Sequence, residues 1–320
     1  MSNKKISVVI PTIGRVEFLD QAIESILEQT VAADEIIIFD NSELQLLKNI
    51  SKYGETESIN WVQSGSGLDA VKSWNSAVES ASCEYVTILG DDDIACSNYI
   101  KEAKNIIKSN NFGILKAIII DEAGFFKKSL IYPEKKEISY SELRKYRIKG
   151  RISLCVPGLV FKKSYFFDAN CFENTGMPGS AFSDELLCYK LALISNKCVI
   201  SDEICWEYRK HSTSLGVMNN FEAYVGRAIE YVDLMSNSLS DAGDKICFSN
   251  EVQKQKYLDY VCNYGFLQFL KYQTRNNNNI FLIIRDFYLL YLSDKRISKK
   301  AKFLYVFRLI YKFLLRILGK

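Results

Sequence analysis

Tyr85-Val-Thr-Ile-Leu89-Gly90-Asp91-Asp92-Asp93 decides how this chain is read. A five-residue apolar, β-prone run ends on a glycine and meets three carboxylates at once. Such a run reads as a buried parallel strand, and ligands of open α/β sheets sit just beyond the carboxyl ends of the strands. Three adjacent acids there repel one another and call for a cation. A hard divalent ion with oxygen ligands, itself carrying a diphosphate, meets that need economically. A solvated acidic turn opening the next helix would account for the same residues.

The flanking sequence supplies the context. Ile6–Ile10 is a strand expected to stop at Pro11, and Val16–Gln29 carries Phe18, Leu19, Ala22, Ile23, Ile26 and Leu27 on one face at helical spacing. Glu35–Phe39 is a second strand, followed by a helix through about Tyr53 and a third strand near Ile59–Gln63. Ser64–Gly67 is a flexible turn and Leu68–Ser80 a helix. This alternation predicts an α/β fold with a doubly wound, mainly parallel sheet and right-handed crossovers. It places Pro11–Arg15, Asp40–Ser42, Ser64–Gly67 and Asp91–Asp93 on one edge, making a nucleotide-sized cleft. No GxGxxG dinucleotide fingerprint and no GxxxxGK[ST] phosphate loop is present.

Ile6–Arg15, Asp34–Ser42, Asn75 in Ser-Trp-Asn, and Tyr85–Asp93 together resemble the inverting GT-A glycosyltransferases of family two. The resemblance implies a Rossmann-like GT-A domain and a nucleotide-sugar donor, with uridine as the expected base. It implies Asp40 on that base, Pro11, Thr12, Arg15, Asn41, Gly67 and Asn75 on the donor side, and Asp91 on the ribose. Asp92, with Asp93, would hold Mn²⁺ or Mg²⁺. Many members have Asp where Gly90 stands, so how the three acids divide their roles stays open.

Downstream, Ser97–Ser109 reads as a serine-capped helix and Gly113–Ile120 as a strand. Phe125–Tyr132 is a β-excursion, Glu134–Gly150 a charged connection with a short helix at Ser141–Tyr146, and Pro157–Phe161 a return to the sheet. Cys171–Ser183 is a loop with two glycines and a proline, and Asp184 falls in the first turn of the helix after it. Ser183 and Asp184 suit a cap and a favourable first-turn charge. They equally suit a base facing an acceptor, and the resemblance implies that second role: Asp184 matches the family's general base and Lys190 its basic position, while Ser183 replaces the usual Glu. Lys197–Ser201 and Ile204–Tyr208 are two strands. His211, the chain's one histidine, follows Tyr208-Arg209 as in the family's Tyr-Arg-x-His. A structural role is common for a lone His; the resemblance implies metal or diphosphate contact.

After residue 215 the texture becomes helical: Phe221–Leu239, Glu251–Tyr272, Ile280–Leu292 and Lys299–Leu318. The expected division is therefore a GT-A domain over 1–215 and a helical region over 216–320. The overall charge is +3, but the last 26 residues carry nine Lys and Arg and no acid, leaving −6 for the rest. That basic segment, 295–320, with an aromatic-rich apolar face, is expected to lie on the anionic cytoplasmic face of a membrane; packing on the protein's own core is the other outcome. Nine cysteines without metal-ligand spacing suit a reducing compartment. No signal peptide, membrane span or nucleic-acid partner is expected. The expected activity is metal-dependent inverting transfer of a sugar to a saccharide hydroxyl, the acceptor being lipid-linked, of the undecaprenyl-diphosphate type. A sugar nucleotidyltransferase would need a glycine-rich basic N-terminal loop that is missing here. A non-catalytic nucleotide-binding, membrane-associated protein would keep the cleft and lack the base.

Overall fold

The computed structural model describes residues 4–42, 47–65, 67–211, 221–244, 248, 250–276, 291–292 and 294–302. Two compact units emerge: Met1–Asn174 with Phe182–Ser214, and Thr175–Ala181 with Leu215–Lys320.

The first unit opens β1 (Ile6–Thr12), α1 (Val16–Leu27), β2 (Glu35–Asp40), β3 (Ile59–Gln63), α2 (Ala70–Ser80) and β4 (Tyr85–Ile88). Leu19, Ala22, Ile23 and Ile26 of α1, at i, i+3, i+4 and i+7, are buried against the sheet; each large side chain so buried contributes about 1.5–3 kcal/mol. Asp69 caps α2, accepting the Lys72 N–H at 2.9 Å. The four strands are parallel in the order β3-β2-β1-β4. The chain winds outward from β1 to β3, then returns to lay β4 on the other side of β1. That reversal is the crevice where open α/β sheets bind ligands. Thr12 pairs with Asp40 at the ends of β1 and β2, while β4 pairs with β1 only as far as Val9 and Ile88. Strand β1 therefore runs through Pro11, where its β4 neighbour has already ended and the missing N–H costs nothing in that ladder.

Beyond β4 the sheet becomes mixed. The chain continues through β5 (Ile94–Ala95), α3 (Tyr99–Ser109), β6 (Phe112–Ile120), β7 (Phe126–Ser129), β8 (Glu137–Ile138), α4 (Tyr140–Ile148), β9 (Leu159–Lys162), α5 (Lys163–Asp168), α6 (Ser183–Ile194) and β10 (Cys198–Arg209). Strand β9 lies antiparallel between β4 and β6, and β10 lies parallel beside β6. Several local expectations are corrected. The two strands near 197–208 are one strand, β10, whose register shifts between Ile200 and Ile204. In place of a helix through Tyr53, the described residues hold a short 3₁₀ turn, Leu47–Asn49. Neither serine cap forms. Asn98 precedes α3 without a side-chain capping bond, its amide donating instead to Glu203 and the Ile204 carbonyl, and left-handed Phe182 (φ 69°) precedes α6. The short helix expected at Ser141–Tyr146 is present as α4, opened by a reciprocal capping box between Ser139 and Glu142.

In the second unit α7 (Phe221–Asp241) packs on α8 (Glu251–Asn276). Tyr224 donates to the Val261 carbonyl at 3.2 Å, and its ring lies where a Cβ on Gly265 would stand. Segment 303–320, where the basic amphipathic face was expected, and nearly all of the helix expected at 280–292 lie outside the described residues. No described helix is long and apolar enough to cross a membrane. Every described cysteine is free.

Candidate active site

The three acids leave β4 in different directions, and Arg15, from the turn after β1, organises two of them. Its Nη2 meets Asp91 Oδ1, and its Nη1 lies 2.6 Å from Asp92 Oδ2. Thr12 donates to Asp91 Oδ2 at 2.7 Å. His211, just past β10, brings Nε2 to 2.7 Å from the same Asp92 oxygen and 3.1 Å from Arg15 Nη1. Burial disfavours the Asp91 carboxylate and pushes its pKa up, with Arg15 opposing. Burial also works against the Arg15 charge, but the two acids more than offset it and its pKa is raised. Thr12, Arg15, Asp91, Asp92 and His211, singled out separately along the sequence, thus meet in one cluster.

Asp93 does not join them. It is fully buried; Oδ1 accepts the Arg209 N–H at 2.9 Å, and Oδ2 is a buried oxygen without a hydrogen-bond partner. Burial first, and the neighbouring Asp92 charge second, push its carboxyl well above the usual range. A Cβ on residue 90 would stand 2.5 Å from Asp93 Oδ2 and 2.9 Å from Asp92 Oδ1. Glycine at 90 is therefore a steric requirement of this arrangement, and an Asp there would displace both acids. Among the described residues no three His, Cys, Asp or Glu side chains are grouped to hold a metal ion. The expected trio of Asp92, Asp93 and His211 reduces to the Asp92–His211 pair. That pair fits a divalent ion by its chemistry: one carboxylate oxygen and one imidazole nitrogen converge where the Arg15 cation now sits.

Two residues to which the sequence assigned no separate role, Arg209 and Phe18, hold this end of β10. Arg209 donates to the Asp92 carbonyl (2.9 Å), the Glu122 carbonyl (2.7 Å) and Gln21 Oε1 (2.8 Å). Its guanidinium lies 5.0 Å above the Phe18 ring, and the same ring is 5.3 Å from that of His211. Phe18 sits on α1 between them, a face its helical spacing alone could not distinguish from core.

The other donor-side residues have main-chain duties. Asp40 is buried, its oxygens accepting the N–H groups of Ser42 and Leu47, each at 2.9 Å. Asn41 clamps the following turn, donating to the Leu68 carbonyl at 2.8 Å and accepting from Leu68 N–H and Ser64 Oγ. Gly67 in that turn has φ +77°. Asn75 on α2 donates to the Phe172 carbonyl at 2.9 Å and accepts the Phe172 N–H at 3.0 Å, so its amide faces the 171–173 segment. Pro11 is half-buried at the end of β1.

Asp184 stands in the first turn of α6, its Oδ1 accepting the Glu185 N–H at 2.8 Å. Burial pushes its pKa up to about 6, against the pull of Arg147 and with the help of Glu185. Ser183 points elsewhere, donating to the Glu173 carbonyl at 2.8 Å, while Lys190 is buried in an ion pair with Glu173. Half-buried Cys155, before β9, feels the charges of Asp184 and Arg147 and also those of Asp93 and Lys210.

Thr12, Arg15, Asp40, Asn75 and the three acids lie in a stretch, residues 7–167, that fits the model of "Glycosyl transferase family 2"; Asp184, Arg209 and His211 lie beyond it. The chain belongs to glycosyl transferase family 2. Within the family, it is 27% identical over 177 residues to poly(ribitol-phosphate) β-N-acetylglucosaminyltransferase TarP of Staphylococcus aureus, covering 54% of this chain and 45% of TarP. It is 23% identical over 247 residues to glycosyltransferase GlyG of Streptococcus pneumoniae, covering 74% of this chain and 80% of GlyG. The chain thus spans less than half the length of TarP. The crystal structure of S. aureus TarS 1-349 in complex with UDP-GlcNAc superposes with a TM-score of 0.62 at 17% identity, covering 93% of this chain and 82% of that one. The α/β fold is accordingly GT-A-like, with a helical region after it.

Proposed function

We propose that this family 2 member is an inverting glycosyltransferase that moves a sugar from a nucleoside-diphosphate donor to a saccharide hydroxyl. The observation that carries this is that one unit holds both the Arg15–Asp91–Asp92–His211 cluster just past β4 and a carboxylate of raised pKa, Asp184, at the start of α6. A base with a pKa of about 6 is ionised at neutral pH and still able to take a proton. Asp184 removes the proton of the acceptor hydroxyl as that oxygen bonds to the anomeric carbon. The bond from this carbon to the diphosphate breaks on the opposite face, which inverts the centre. Arg15 and Thr12 hold Asp91, and His211 and Arg15 hold Asp92, so the donor wall is fixed before the donor arrives. Asp92 and His211 would hold Mn²⁺ or Mg²⁺; when bound, the ion supplies charge that offsets the departing diphosphate. Arg15 then keeps its bonds to Asp91 and yields Asp92.

Uridine is the expected base, and the names of TarP and of the TarS complex make UDP-GlcNAc the first donor to test. The acceptor remains a saccharide, lipid-linked, and the basic segment 295–320 would hold the enzyme at an anionic membrane surface. The test is release of nucleoside diphosphate from a panel of nucleotide sugars, with and without saccharide acceptors, in Mn²⁺, Mg²⁺ or excess chelator. Acceptor-stimulated release from one donor, lost in chelator, is expected. Absence of release from every donor in either metal would refute an enzymatic role, and full turnover in chelator would refute the role given to Asp92 and His211.

A further inference from the structure

The base proposed above has a basic neighbour with an unusually firm anchor. Arg147, in the last turn of α4, donates Nε to Glu185 Oε2 at 2.7 Å, and its Nη1 lies 3.4 Å from the Ile152 carbonyl. Glu185 has no solvent exposure, and its other oxygen accepts the Tyr189 hydroxyl at 2.9 Å. A buried carboxylate held on both oxygens fixes the guanidinium in space, since leaving either charge unpaired there is costly. Residue 185 follows the base directly, and the Glu185 N–H is bonded to Asp184 Oδ1, so the same turn of α6 orients both acids.

The groups acting on Asp184 come from three places. Arg147 reaches it from α4 and lowers its proton affinity; Glu185, on its own helix, raises it. The Asp184 charge also acts on Cys188, one turn along α6, and on Cys155, from the segment before β9, but burial raises both thiols, Cys155 to about 12 and Cys188 well above its ordinary value. Both are neutral at working pH, leaving the Arg147–Glu185 pair as the charges that act. Ser183, in the place where the family carries an acid, is turned to the Glu173 carbonyl.

We propose that Arg147, anchored on Glu185, is a positioning residue for the base, keeping the Asp184 carboxylate charged and aimed at the acceptor hydroxyl. The proposal rests on Asp184 being the base. It assigns the orienting duty to a residue from α4, 37 positions upstream of Asp184, and not to the residue preceding it.

The experiment compares pH profiles of kcat/KM for wild type, Arg147→Gln, Arg147→Lys and Glu185→Gln, with Asp184→Asn as the control and a thermal melt of each. An opposite charge nearby shifts a carboxylate by about one unit or more. Arg147→Gln should therefore move the acid limb up by about one pH unit, losing about tenfold below the limb and recovering above it. Arg147→Lys should restore the limb to its wild-type position. Glu185→Gln, which removes the charge that raises Asp184 and frees Arg147 to turn to it, should move the limb down. Opposite displacements are a result that a merely structural role does not give, and if Arg147→Gln does not fold, Glu185→Gln carries the test alone. Profiles scaled equally at every pH, or unshifted in both Gln variants, would overturn the proposal while leaving the base intact. Undiminished transfer by Asp184→Asn would instead remove the base and the proposal with it.

Discussion

Replacing Asn75 separates two duties of one amide. As a donor-side residue its loss would weaken nucleotide-sugar binding; as placed in the structure it holds the Phe172 main chain through two hydrogen bonds of 2.9 and 3.0 Å. Phe172 is 3% exposed, and its ring packs against Trp74 and Phe166, so water has little access to the groups that Asn75→Ala would orphan. A buried unpaired donor or acceptor costs about 1–3 kcal/mol. Two of them, partly relaxed, give about 2–4 kcal/mol. At about 2–4 °C per kcal/mol for a unit of this size, the melt should fall by roughly 4–16 °C. Asn75→Asp keeps the acceptor and loses the donor, so it should fall about half as far. The assay pairs a melt with donor titration by calorimetry. A melt within 1 °C or so of wild type, combined with donor binding weakened about tenfold, would refute the clamp and return Asn75 to the donor.

Asp184→Asn should cut turnover by roughly 10²–10⁴ with little change in donor affinity. Because burial raises this carboxyl's pKa in the folded state to about 6, its contribution to stability is present at acid pH and lost as pH rises through that value. The Asn variant should thus melt above wild type at pH 7 and converge with it near pH 4; a lower melt at pH 7 would contradict the burial argument. Gly90→Ala places a Cβ 2.5 Å from Asp93 Oδ2 and 2.9 Å from Asp92 Oδ1 and should destabilise the unit by about 1–3 kcal/mol, read from denaturant midpoints. His211→Ala should weaken metal-supported donor binding, checked by Mn²⁺ titration; an unchanged titration would leave His211 as packing for Phe18. Removal of residues 295–320 should release the protein from anionic vesicles with donor hydrolysis intact, and aggregation of the shortened chain, with no vesicle binding by the full one, would assign the segment to the core.

How much of this was legible depended on whether a signal was local. The β1–β4 half could be read because buried parallel strands and amphipathic helices each advertise their period, and because strand ends carry polar residues. Arg15 could be placed near the acids for the same reason. Its actual contacts with both Asp91 and Asp92 could not, since they depend on side-chain reach across the β1–β4 crevice. The antiparallel insertion of β9 left no mark on the local pattern of Leu159–Lys162, which reads as a buried strand in either direction. Arg147 and Glu185 were hidden differently: 38 residues separate them, and the helix that presents Arg147 is short and strongly polar. The sequence places that helix at Ser141–Tyr146, one residue short at its start, which the Ser139–Glu142 capping box fixes, and two short of Ile148 at its end, which left Arg147 outside it.

The order of elements along the chain also divides the site. Every residue of the donor wall except His211 and Arg209 comes from one uninterrupted stretch ending at Asp93. The base and its anchor come from α4 and α6, beyond a run of hairpins and short strands. Recombination or insertion between residues 121 and 150 would reshape the ground around the acceptor while leaving the donor wall's own hydrogen bonds unbroken, apart from the one that Arg209 makes to the Glu122 carbonyl. On the proposed reading, a chimera exchanging the segment between α3 and β10 would change the acceptor side while keeping Arg209 and His211 of the donor wall.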